Sequence, residues 1–262
     1  MLLLLSPAKS LDWSPVAKWI DPTTPELAKE SKALASVMKK KSAEELQTMM
    51  KLSEKLATLN HERFQAMTSK PDAKRDRPAA LAFNGDVYKG LQARTLEARE
   101  LKWSQQHVVI LSGLYGALRP LDLIEPYRLE MGTRLETKRG ASLYDYWGDS
   151  VTKLVNERLE ESGAKVVLNL ASNEYSRSVQ FKKLDVPVIT PVFQEISADK
   201  HKVISFFAKR ARGAMARHII DKRLTDVDDI KRFKDGGYKF DESLSSEKTW
   251  VFARPKPESA AK

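Results

Sequence analysis

The sequence predicts an α/β fold: a mixed, partly parallel sheet flanked by helices. Three observations lead there. Short apolar runs recur at Leu2–Leu5, Leu81–Phe83, Val108–Leu111 and Val166–Leu170, and such runs read as buried strands. Helical patterns alternate with them, as in sheets with parallel strands. Each run ends in Ser, Asn or Gly and then charged or aromatic residues. Ligands in open α/β sheets bind outside the carboxyl ends of the strands. Convergence of the four turns would form one cleft. Lys9, Asp12, Asn84, Asp86 and Ser112 would line it, with Tyr115, Arg128, Glu174 and Tyr175. The alternative is four ordinary turns whose serines cap helices.

The elements follow in order. After the first strand comes a loop rich in Trp and Pro, Trp13–Pro25. Thr24-Pro25-Glu26 predicts a helix start, with Thr as cap and Pro in the first turn. Leu27, Leu34, Val37 and Met38 mark its apolar stripe, and Lys39–Lys41 crowd its end, where cations suit the helix dipole. Ser42-Ala43-Glu44-Glu45 has the form of a capping box. Ser53 is placed to cap a further helix, so residues 43–67 read as a helical hairpin or as a single amphipathic stretch. Lys70–Pro78 reads as an exposed loop. Leu143–Leu159 is expected as one helix, ending over Glu160–Gly163. Val186–Val192 carries Pro187 and Pro191, which restricts it to an edge strand or an extended connection. A strand at Val203–Phe207 is expected to run into a cation-rich helix. Thr225–Asp228 has the form of another capping box, and Tyr238–Asp241 with Thr249–Arg254 that of a hairpin. Residues 1–254 are expected to form a single α/β domain with a helical lobe over about 25–70, followed by a flexible tail at 255–262.

Composition narrows the chemistry. The 262 residues include 45 Lys and Arg against 35 Asp and Glu, a net charge of +10. Polyanions are plausible partners for such a chain. It has no Cys, which excludes disulfides, iron–sulfur clusters and thiol sensing of peroxide. Leu2–Leu5 is too short for a secretory signal, and no run reaches the length of a membrane span; a cytoplasmic protein is expected. His61, His107, His201 and His218 share no ligand spacing. No HExxH, P-loop or GxGxxG pattern occurs, so neither metal nor cofactor is expected.

Lys200–Arg223 holds eight cations and one acid, Asp221. Lys209, Arg210, Arg212 and Arg217 lie on the expected helix, and residues seven apart share a face. These side chains either meet phosphates along a cleft wall or form a solvated face. Lys9 follows the first strand. It could act as a Schiff-base nucleophile if desolvated, with Asp12, Glu125 or Glu174 as base or charge stabiliser. Otherwise it contacts phosphate or pairs with Asp12. Arg119 and Arg128 could clamp phosphate. Tyr88, Tyr115, Tyr127 and Tyr175 either stack on a base or cover the core. Ser112 opens the densest of these turns.

Several of these segments also carry a resemblance. SPAKSLD at Ser6–Asp12, FNGDVYKGL at Phe83–Leu91 and LSGLYGALRPLDLIEPYRLEMG at Leu111–Gly132 are three of them. LYDYWGD at Leu143–Asp149, NLASNEY at Asn169–Tyr175 and FFAKRARGAMARHII at Phe206–Ile220 complete the set. Together they resemble the bacterial YaaA family of peroxide-stress proteins. The resemblance implies a cytoplasmic protein that limits oxidative damage to DNA and unincorporated iron. It also implies a DNA-binding cleft and a helix-hairpin-helix element, which maps to residues 43–67, a segment without glycine. The expected function is therefore binding of duplex or distorted DNA. The alternative is a nucleobase- or DNA-processing enzyme, a glycosylase or abasic-site lyase using Lys9.

Overall fold

Every residue of β1 (Leu2–Leu5) is apolar and buried, the pattern of a central strand covered on both faces. The computed structural model describes residues 1–17, 19–197 and 200–257. Beyond β1 come α1 (Ala28–Met38), α2 (Ala43–Met50), α3 (Glu54–Ala66), β2 (Arg77–Pro78), α4 (Ala79–Ala82) and α5 (Asp86–Leu91). Next are α6 (Ala98–His107), β3 (Val108–Ser112), β4 (Gly116–Leu118), β5 (Leu123–Ile124), α7 (Leu143–Trp147) and α8 (Ser150–Ser162). The chain continues through β6 (Val167–Asn169), α9 (Asn173–Ser176), β7 (Val188–Ser197), β8 (Lys200–Lys202) and α10 (Ser205–Lys222). It closes with β9 (Lys239–Asp241) and β10 (Thr249–Pro255).

The main sheet runs β4-β3-β1-β6-β7-β10-β9, with β8 paired to β7. Pairings from β3 through β10 are parallel, and β4, β8 and β9 join antiparallel. β2 and β5 form a separate two-stranded ladder. The fold is thus α/β with a mixed, partly parallel sheet. From β1 the chain moves to β3 on one side, then crosses to β6 on the other. The gap between the carboxyl ends of β1 and β6 is therefore a topological switch point.

Several local expectations need correction. Leu81–Phe83 is not a strand. Ala79–Ala82 forms a helical turn after Pro78, closed by the Phe83 N–H on the Ala79 carbonyl at 3.0 Å. The first long helix starts at Ala28 without a side-chain cap, while the Thr24 carbonyl accepts instead from Arg119. Leu143–Leu159 is two helices, broken at Gly148, whose φ of 47° ends α7. β7 is interior, not an edge. Pro191 fits because alternate amides face opposite neighbours. The Thr190 N–H points to Lys248 beside β10, so the Pro191 nitrogen faces the gap between the last β6 pairing at Ile189 and the first β8 pairing at Glu195. Ser205 already begins α10, so Val203–Phe207 is no strand. Asp226 makes a local turn by accepting from the Asp228 N–H at 3.0 Å, in place of a capping box.

Other expectations hold. Ser42 and Glu45 close a capping box, and Ser53 caps α3. Residues 43–67 are thus two helices joined at Lys51, which has a left-handed φ of 51°. β9 and β10 form the terminal hairpin. Within the expected tail, Pro255 still pairs with Ile196 and the Lys256 N–H bonds its carbonyl. Residues 258–262 lie outside the described residues.

The decisive packing contact is between α5 and α10. A Cβ on Gly213 would overlap the Val87 carbonyl oxygen, and one on Gly90 the Arg210 carbonyl oxygen. Only glycine lets the two backbones meet. Gly213→Ala would gain up to about 1 kcal/mol from helix propensity. The overlap is with backbone, which cannot rotate away, so a net loss of about 2 kcal/mol or more is expected from urea unfolding.

Burial holds the His107 and His218 imidazoles below their ordinary value of 6.5. The unfolded chain therefore binds protons near pH 6.5 that the folded chain resists. This contribution to stability is complete above that pH and is lost as pH falls below it. The urea midpoint should drop between pH 8 and pH 5.5, and His107→Gln with His218→Gln should shrink the drop.

Candidate functional site

The turns after β1 and β6 meet at the switch point. The Ser172 N–H donates to Ser6 Oγ at 2.9 Å, and the two hydroxyls lie 3.3 Å apart. The buried Tyr88 hydroxyl donates to the Ser6 carbonyl at 3.1 Å, fixing the turn from below. A cleft of about 600 Å³ opens above these serines. The β1 turn supplies Lys9, α5 supplies Asp86, and α9 supplies Glu174 and Tyr175. Lys209 and Arg212 enter from α10.

The cleft mixes both charge signs. Lys9 Nζ lies 2.6 Å from Glu130 Oε2, and Arg128 Nη2 donates to Glu130 Oε1 at 3.2 Å. Glu174 Oε1 accepts from the Gly132 N–H at 3.0 Å. Lys209 and Arg212 form no hydrogen bond or ion pair among the described residues, and Arg212 Nε is buried. Burial holds the Arg212 guanidinium below its ordinary value.

The structure thus brings together Lys9, Asp86, Glu174, Tyr175, Lys209 and Arg212. It places other expected residues elsewhere. Asp12 pairs with Arg94 at 3.0 Å and bonds the Ser14 N–H. The Ser14 bonds, helped by Arg94, hold its carboxyl below the usual range. Asn84 shares that separate hollow. Arg119 is held in ion pairs with Glu26 at 3.1 Å and Asp122 at 2.9 Å. Arg128 reaches the cleft only through Glu130. Lys9 has a side chain 59% exposed, so the desolvation a Schiff-base role calls for is absent.

The turn after β3 faces inward. Ser112 is fully buried; its Oγ bonds the Tyr127 hydroxyl at 2.6 Å and accepts from the Tyr115 N–H at 3.0 Å. The Tyr115 and Tyr127 rings meet edge-on at 5.3 Å. Burial pushes the phenols of Tyr88, Tyr115, Tyr127 and Tyr175 above their ordinary value. These rings form the cleft floor and the core beneath it.

Arg210 and Arg217 lie in a second groove of about 400 Å³, with Lys89, Arg254 and one acid, Asp235. Arg217 is paired with Asp221 at 2.6 Å, while Arg210 has no ion pair or hydrogen bond among the described residues. Arg254 lies between the Phe207 and Tyr238 rings, 4.8 and 4.4 Å from their centroids, and 3.4 Å from the buried Glu195. Sequence reasoning missed Lys89 and Arg254 here, and it missed the Gly90–Gly213 contact that separates groove from cleft. Glycines inside helical patterns were the available signal. No three His, Asp or Glu side chains among the described residues are grouped to hold a metal ion. No helix among them is long and apolar enough to cross a membrane.

Ser112→Ala should cost about 1–3 kcal/mol by leaving the Tyr127 hydroxyl unpartnered in the core. Adding Tyr127→Phe should recover part of that loss in denaturant titrations. Neither change should alter binding of any ligand to the cleft.

The chain matches a family model described as peroxide stress protein YaaA over residues 1–244. It is 48% identical over 257 residues to a UPF0246 protein from Caulobacter vibrioides, covering 98% of this chain and 100% of that one. A UPF0246 protein from Ruegeria pomeroyi is 48% identical over 255 residues, 97% of this chain and 99% of that one. One from Janthinobacterium is 46% identical over 254 residues, 97% and 98%. Matches of this length span both walls of the cleft and the α5–α10 contact, and with them the chain belongs to the peroxide stress protein YaaA family.

Proposed function

We propose that this protein binds DNA in the peroxide stress response, in the cytoplasm, and thereby limits DNA damage and free iron. The observation that carries the reading is the groove beside α10, where Lys89, Arg210, Arg217 and Arg254 face a single acid, Asp235. Arg217 is held by Asp221 and Arg254 lies against Glu195, so Lys89 and Arg210 are the cations left to meet a phosphodiester backbone, and each phosphate contact releases counterions. The switch-point cleft, with three cations and three acids on its walls, is less suited to a repeating polyanion. The α2–α3 hairpin lacks glycine and exposes Glu54 and Glu62 beside Lys55, so the reading rests on α10 instead. Membership of the peroxide stress family supports the stress role. An effect on iron would be indirect, through partners or damage control.

The test is fluorescence anisotropy with matched duplex and bubble DNA across a salt series. Lys89→Glu with Arg210→Glu should weaken both complexes. The slope of log K against log salt should become shallower by about 0.9 for each duplex phosphate that no longer meets a cation. Unchanged affinity and slope would overturn the placement of DNA in this groove.

A further inference from the structure

Arg212 has no structural task that its contacts explain. Its Nε is buried, and the side chain makes no hydrogen bond or ion pair among the described residues. The residue is half-buried, and desolvating even part of a charge without a partner is costly. Burial acts on it without relief, since no neighbouring carboxylate offsets the desolvation. Lys209, three residues earlier on the same helix face, is also unpaired among the described residues and points into the same cleft. Lys9, by contrast, is already neutralised by Glu130. The cleft therefore has an unsatisfied cationic end on α10.

Its other walls have the opposite character. Among the described residues, Glu174 accepts one side-chain bond, through Oε1, from the Gly132 N–H. Asp86 Oδ1 is 4.0 Å from Lys89 Nζ, its nearest cation among the described residues. Free carboxylate oxygens accept hydrogen bonds from hydroxyl or amino groups. Ser6 and Ser172 add hydroxyls at the floor. A ligand matching both ends has an anionic head and several donors on its body. The volume of about 600 Å³ lies in the range of small-molecule pockets and is far more than a bare phosphate needs.

We propose that the switch-point cleft binds one phosphorylated nucleotide unit, with its phosphate on Arg212 and Lys209 and its hydroxyl or amino donors on Glu174 and Asp86. The site is separate from the groove assigned to the DNA backbone, and the proposal does not require that assignment. A nucleotide with this chemistry has two sources: a free nucleoside monophosphate, or a residue unstacked from DNA.

Calorimetric titration of the full-length protein with AMP, adenosine and inorganic phosphate tests the site, with bubble and duplex DNA as a parallel arm. If the source is free nucleotide, AMP binds at least tenfold more tightly than adenosine, and Arg212→Gln removes that difference. If the source is DNA, AMP shows no binding at millimolar concentration, and Arg212→Gln weakens bubble DNA at least tenfold more than duplex. Lys165→Glu, exposed at the amino end of β6 and away from both the cleft and the groove, should leave both cleft readouts unchanged. Folding is checked in the same variants. Without ligand, Arg212→Gln should melt at or above the wild-type temperature, because an unpaired, half-buried cation has been removed. A lower melting temperature with no selective loss of AMP or bubble binding would make Arg212 structural and overturn the proposal. So would equal binding of AMP and adenosine, or failure of both the AMP and the bubble arms. Loss of all DNA binding with AMP binding intact would defeat only the DNA reading.

Discussion

Backbone contact between α5 and α10 at Gly90 and Gly213 sets the position of nearly every charged group of interest. Neither position has room for a Cβ, because the opposing atoms are carbonyl oxygens of the partner helix. The helices consequently lie closer than side-chain packing permits. α10 becomes a partition whose successive residues fall on different sides. Lys209 and Arg212 enter the switch-point cleft, while Arg210 and Arg217 enter the neighbouring groove. One sequence run, KRAR, thus serves two spaces of different chemistry.

The cleft itself follows from topology. β1 is the first strand and lies centrally, with β3 and β6 on its two sides. The chain must reverse its direction of travel across the sheet between them, and the loops diverge there. Ser6 and Ser172 tie the diverging loops together, so the cleft has a fixed floor. Below it Ser112 pairs with Tyr127 and the Tyr115 N–H, the Tyr115 hydroxyl accepts from the Glu125 N–H, and Tyr88 donates to the Ser6 carbonyl. That inward polar layer keeps the floor rigid without exposing hydroxyls to a ligand, since buried polar groups cost least when fully paired.

Electrostatic distribution, not total charge, separates the two spaces. Many cations in this chain are already committed. Arg119 is held by Glu26 and Asp122, Arg158 pairs with Glu26 and Glu161, and Arg75 pairs with Asp76. A net charge of +10 is therefore a poor guide to where an anion binds. The cations that matter are those left unpaired by their surroundings, such as Arg210 and Arg212.

Much is legible from the sequence alone. Apolar runs mark β1, β3 and β6, because a doubly covered strand must be apolar throughout. Ser42 and Ser53 mark helix starts, because capping is a local bond between residues three apart. The cation-rich helix and the family resemblance are also on the surface of the sequence. What the sequence does not decide is direction and partnership. Ser112, Tyr115 and Arg119 sit in a turn that reads like a ligand loop, yet all three are consumed by contacts within the fold. Asp12 reads as a neighbour of Lys9 and instead finds Arg94, 82 positions away. Pro191 looks like an edge residue because its missing N–H is visible in the sequence, whereas the gap between β6 and β8 that makes it harmless is not. Burial, pairing and the side of a helix on which a charge falls depend on groups distant in sequence, and only the assembled structure brings them together.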